Sequence, residues 1–143
     1  MIRTVKKENN IFSGISVSAK TAFIACFAAG LLVHLFAFTN IIPNSDGLSR
    51  VYDTQQMTVS GRWFLHYASY FNGFIQAPSL IGLISVFFFS ISSALTCEIL
   101  NIKSRLFSAL CGITMVVFPC VSYTYMYMFT ASAYSVGVFL AVI

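Results

Sequence analysis

The sequence predicts an all-α, polytopic membrane protein. It has three full transmembrane helices, a truncated fourth, and amphipathic interfacial helices in the first outward loop. Three observations predict this class. The chain is 58% hydrophobic and only 8% charged, with a mean hydropathy of +0.84, far more apolar than a soluble domain of this length needs. Three of its apolar runs are each long enough to cross a ~30 Å hydrocarbon core, which takes ~20 residues of helix. Its charges are gathered in a tail, one long loop and one short loop.

Residues 1–19 are polar and carry Arg3, Lys6 and Lys7. They read as a tail ahead of the first span, at 20–42, where the apolar run from Thr21 to Ile42 holds His34 as its one titratable imidazole. His34 is expected to be packed or hydrogen-bonded at a helix interface. Pro43 is expected to end this span. The second span is predicted at 79–100 after Pro78, with Glu98 near its end. The third is predicted as one helix over 106–128, with no charge in it. A fourth starts near Thr130 and runs to Ile143, and these 14 residues reach only ~21 Å. A free carboxylate inside hydrocarbon is costly. The reading is therefore an N-terminal part of a longer protein, with a short last helix buried in a partner as the alternative.

Lys and Arg set the expected orientation. Arg3, Lys6, Lys7 and Lys20 precede or open the first span, and Lys103 and Arg105 follow the second. The positive-inside rule places this side in the cytoplasm and the loop at 43–78 outside, which in a bacterial inner membrane is the periplasm. The net charge of +4 is accounted for by these inward segments and requires no nucleic-acid partner. The N-terminus reads as a signal anchor, not a cleavable signal peptide. Cys26, Cys97, Cys111 and Cys120 all fall in predicted spans, where Cys behaves as a small apolar residue. No disulfide framework and no metal site is implied.

The loop at 43–78 is far longer than the ~2–8 residues usual between helices. It holds two of the four acidic residues, Asp46 and Asp53, and two of the eight basic ones, Arg50 and Arg62. Asn44, Ser45 and Asp46 offer caps for a helix beginning near Gly47. On that helix Asp46, Arg50, Asp53 and Met57 share a face, with Asp46 and Asp53 ~10 Å apart along the axis. Ser60-Gly61 breaks it. Helical spacing resumes from Arg62 to Phe71, with Trp63, Phe64, Tyr67, Tyr70 and Phe71 suited to headgroup level.

Each charged residue here has two readings. Asp46 is a general base or an N-cap. Asp53 is a second functional carboxylate or an ion-pair partner of Arg50. Arg62 binds a lipid phosphate with its planar fork of donors, or snorkels beside Trp63 to anchor the loop. Arg50 offers a weaker version of the same choice. His66, four residues after Arg62, joins an anion site or is a surface imidazole. The aromatic cluster Tyr123–Tyr127 reads as an interfacial belt, with sugar stacking as a second reading.

Asn44-Ser45-Asp46-Gly47-Leu48, Tyr52 and Ser60-Gly61-Arg62-Trp63 resemble motifs of the phage-type O-antigen glucosyltransferases, the serotype-converting enzymes of enteric bacteria. The order of features also matches: basic tail, one span, acidic outward loop ending in Gly-Arg-Trp, then closely spaced spans. The resemblance covers most of the chain and the N-terminal part of such a protein. It implies a GT-C-like membrane glycosyltransferase of prophage origin that modifies lipopolysaccharide. Glucose would pass from undecaprenyl-phosphate-glucose to O-antigen repeat units on the periplasmic face. It implies Asp46 as catalytic base; Asp53, from its place on the same predicted helix face, is taken as a second catalytic carboxylate that divides base and acceptor-binding roles with it. Arg62, Arg50, Trp63, Asn44 and His66 would bind lipid phosphate or sugar. No metal and no cofactor is implied. The relatives it resembles continue with more spans and an acceptor-binding outward part, so activity of this portion alone is left open. The competing readings are a small non-enzymatic membrane protein, such as a lipid-linked sugar flippase or assembly subunit, and a transporter. Both are disfavoured by spans nearly free of ionisable groups.

Overall fold

The computed structural model describes residues 14–40, Trp63, Tyr67 and 77–143, and for Phe129 the backbone alone. The described residues form helices and no strands. Helix α1 spans Val17–Thr39, α2 Pro78–Ile99, α3 Arg105–Val117, α4 Pro119–Thr124 and α5 Met128–Val142, with a 3₁₀ turn at Tyr125–Tyr127 joining the last two. Three stretches, Val17–Thr39, Pro78–Ile99 and Arg105–Tyr127, are long and apolar enough to cross a membrane. The chain is a membrane protein, as its composition predicts.

Helix α1 begins three residues earlier than expected because Ser16 caps it. The Ser16 Oγ accepts from the Ala19 N–H at 3.0 Å, and Glu98 Oε1 on α2 accepts from the Ser16 N–H at 3.1 Å. The helix also stops before Pro43, at Thr39. Asn40 turns to extended backbone, and its own N–H and its Nδ2 both donate to the Phe36 carbonyl, at 3.0 and 2.9 Å. A side chain that competes for the last carbonyls ends the helix without help from proline.

Helix α2 ends in a tight left-handed reversal. Asn101 has φ of 50°, the Ile102 N–H donates to the Cys97 carbonyl, and the Asn101 N–H donates to the Glu98 carbonyl. This is the Schellman pattern, with Asn in the place usually taken by glycine. It turns the chain directly into α3.

Lipid offers no hydrophobic drive between spanning helices, so close packing of small side chains must supply it. Helix α1 shows the device at four-residue spacing, burying Ala22, Cys26, Gly30, His34 and Phe38 on one face. Helix α3 answers with Ser108, Gly112 and Val116. At Gly112 a Cβ would run into the backbone carbonyl of Ala22. At Gly30 a Cβ would press on Val86 of α2 and Val116 of α3, at 2.8 and 3.0 Å. Helix α1 thus packs against α2 and α3, while α5 lies against the α2 side, where Phe88 and Phe139 rings meet at 5.3 Å.

The serines buried along α2 make no polar path. Ser85, Ser90, Ser92 and Ser93 each donate to a carbonyl of their own helix.

The third span is not the one continuous helix expected over 106–128. It breaks at Phe118, whose ψ of 135° lies outside the helical range, and restarts as α4 at Pro119. Proline has no N–H to donate and crowds the residue before it out of helical backbone. The chain then reaches α5 through the 3₁₀ turn, two residues ahead of the expected start at Thr130.

Candidate active site

The long polar segment leaves the bundle after Asn40 and returns at Ala77. Its two ends are brought together by a bond between the helices that carry them. Ser79 Oγ in the first turn of α2 donates to the carbonyl of Phe38 at 2.7 Å, in the last turn of α1. Gly82 reinforces the junction, because a Cβ there would run into the Phe38 ring. The excursion between them therefore starts and finishes at one point of the bundle.

The break in the third span lies at this same end. A break removes intrahelical donors from the carbonyls preceding it, and at membrane depth they need partners in the protein. Val116 finds one on α1. His34, buried to 6% exposure, lies 3.0 Å from the Val116 carbonyl through Nε2. A carbonyl only accepts, so this nitrogen donates and carries the proton. Val117 is met by Ser122 Oγ at 3.4 Å. His34 is thus the hydrogen-bonded interface residue its position in the first span predicts.

Tyr125 completes the junction. Its ring lies 4.4 Å from the His34 ring and 5.2 Å edge-on to Phe38. It is only 2% exposed, and its hydroxyl is the buried side-chain polar atom without a hydrogen-bond partner among the described residues. An interfacial belt therefore describes only part of the 123–127 cluster. Tyr123 is exposed and pairs with Tyr127 at 5.7 Å, while Tyr125 turns inward as part of the packed core. The alternating spacing of the tyrosines, taken with the Pro119 break, was the available signal for Tyr125.

These residues, His34, Phe38, Ser79, Gly82 and Tyr125, form the junction at which α1 ends and α2 begins. Of the predicted site residues, Trp63 is on helical backbone and two-thirds exposed. Tyr67 is on helical backbone and exposed as well. Asn44, Asp46, Arg50, Asp53, Arg62 and His66 lie outside the described residues. The described residues contain no group of three or more His, Cys, Asp or Glu side chains placed to hold a metal ion.

Comparison with known proteins returns one family. Residues 35–143 match the model described as glucosyl transferase GtrII. No curated protein and no solved structure matches the chain. The matched stretch opens one residue after His34, and takes in Phe38, the whole polar segment, the break of the third span, the 3₁₀ turn and α5. By this match the chain belongs to the GtrII glucosyl transferase family.

Proposed function

We propose that the protein is part of an integral-membrane glucosyltransferase that moves glucose from undecaprenyl-phosphate-glucose to O-antigen repeat units. The observation that carries this reading is the family match from residue 35 onward, because it includes the segment bearing Asp46, Arg50, Asp53 and Arg62. The distribution of Lys and Arg supports a periplasmic location for that segment and a cytoplasmic N-terminus.

In this reading Asp46 takes the proton from an acceptor sugar hydroxyl as its oxygen attacks the anomeric carbon of the donor. The bond from that carbon to the phosphate oxygen breaks, and undecaprenyl phosphate leaves. Negative charge grows on the departing phosphate, and Arg62, helped by Arg50, holds it with preorganised donors. A phosphate leaves readily, so no general acid is needed. Asp53, which the sequence spacing puts on the same helix face as Asp46, orients the acceptor. Trp63 offers an aromatic face to a sugar or to the headgroup layer, and Asn44 and His66 supply further polar contacts. The clamp between Phe38 and Ser79 supports this arrangement by holding both ends of the segment at one place.

The test is the Asp46→Asn variant, which keeps shape and removes the base. Glucosyl transfer in membranes carrying the protein is expected to fall by ~10²–10⁴-fold, the usual contribution of general base catalysis. Unchanged transfer, with equal amounts of protein in the membrane, would remove Asp46 from the mechanism.

A further inference from the structure

At the end of the bundle away from the polar segment, a cleft of about 910 Å³ runs between α1 and α2. Its size falls in the ~300–1,000 Å³ range of sites that hold one small ligand. Phe23, Phe87, Ile91 and Ala94 are among its apolar walls, and Lys20 and Glu98 are the charged residues lining it among the described residues. Both charges lie at the same end. Glu98 is in the last turn of α2, and Lys20 lies in the first turn of α1, whose N-cap Ser16 is bonded to Glu98. From Glu98 to Phe87 the cleft follows α2 for 98 − 87 residues, or ~16 Å at the helical rise. Half of a ~30 Å hydrocarbon core is ~15 Å. The cleft therefore runs from the membrane surface to the midplane, polar at one end and apolar at the other, over the depth of one leaflet.

We propose that this cleft seats one phospholipid of the leaflet on the N-terminal side, with a headgroup bearing both phosphate and ammonium, as in phosphatidylethanolamine. The tail fills the apolar length, and the headgroup meets Lys20 and Glu98. Lys20 faces the phosphate as a point charge with three donors. Glu98 faces the ammonium. One of its oxygens accepts from the Ser16 N–H, and a carboxylate has a second oxygen and further lone pairs to offer. An anionic headgroup would be attracted by Lys20 and repelled by Glu98, which selects against it. The site is separate from the proposed glucosyl transfer in place and in ligand.

The experiment is to purify the full chain in mild detergent from membranes containing phosphatidylethanolamine and phosphatidylglycerol, and to quantify retained lipid by mass spectrometry. The wild-type protein is expected to retain phosphatidylethanolamine over phosphatidylglycerol by about fivefold relative to the membrane, the scale of one headgroup charge. Ala94→Trp fills the cleft and is expected to lose the lipid. Ile91→Trp, one turn away, makes the same test if the first variant loses its helical circular dichroism. Glu98→Gln keeps an acceptor for Ser16 and is expected to bring the lipid ratio back to that of the membrane. Equal retention of both lipids by the wild type, unchanged retention in a folded cleft-filled variant, or a polyprenyl phosphate in the phospholipid's place would overturn the proposal.

Discussion

His34 and Tyr125 are the two residues on which the junction between the end of α1 and the third span turns, and they differ in how they are satisfied. The His34 Nε2–H supplies the donor that the helix break denies to Val116. Replacing His34 with leucine keeps most of the volume and leaves that carbonyl unpaired. Hydrogen bonds between membrane helices average ~0.6 kcal/mol and reach ~1.7 kcal/mol, so His34→Leu is expected to lower stability toward the upper figure. Unfolding in mixed micelles measures it, and an unchanged midpoint would mean that the bond contributes nothing. Tyr125 is the opposite case. Its hydroxyl is buried without a partner among the described residues, which costs roughly 1–3 kcal/mol. Tyr125→Phe keeps the ring contacts with His34 and Phe38 and is expected to raise the unfolding midpoint. A fall would show that the hydroxyl is bonded in the membrane. His34 was legible in the sequence because an imidazole in an apolar run needs a partner. Tyr125 was less so: the tyrosine spacing and Pro119 hint that the cluster divides, but an aromatic at a span's end reads as an anchor, and it takes the fold to tell which ring points inward.

At the scale of elements, hydropathy finds where helices cross and is blind to where they break. The run from Leu106 to Met128 is apolar throughout, so it reads as one span, yet Phe118 and Pro119 divide it. The proline was in plain view. Prolines are tolerated in spanning helices, and what made this one a break was a donor waiting on α1. The end of α1 was misplaced for a related reason. Pro43 is the obvious stop, but Thr39 and Asn40 have already taken the last carbonyls. The contact between α1 and α3 gives a sharper test of packing. Gly112 faces the Ala22 backbone, which cannot move aside as a side chain can. Gly112→Ala is expected to destabilise the bundle by about 1–3 kcal/mol through overpacking. The same substitution at Gly137, where a Cβ meets nothing within 4 Å, is expected to have little effect. Equal unfolding midpoints for the two variants would contradict the close approach of α1 and α3.

For the whole molecule, composition alone shows a membrane protein, and the spacing of apolar runs locates its helices to within a few residues. The contents of the proposed site were legible only as chemistry. Asp46, Asp53, Arg50 and Arg62 stand out because charge is rare in this chain, and the short motifs around them carry the likeness to glucosyltransferases. Sequence spacing could not show that the two ends of their segment meet, because Phe38 and Ser79 are 41 positions apart and only packing joins them. The fold thus brings the two ends of that segment together at one end of the bundle and places the cleft lined by Lys20 and Glu98 at the other. Everything proposed for the polar segment rests on glucosyl transfer at the face where it emerges. Sealed vesicles of defined sidedness measure this, with undecaprenyl-phosphate-glucose and O-antigen acceptor confined to one face and transfer followed with labelled glucose. Transfer is predicted when both substrates are on the face opposite the N-terminus, with loss of transfer in Asp46→Asn. Equal transfer from the N-terminal face, or none from either face with folded protein present, would contradict it.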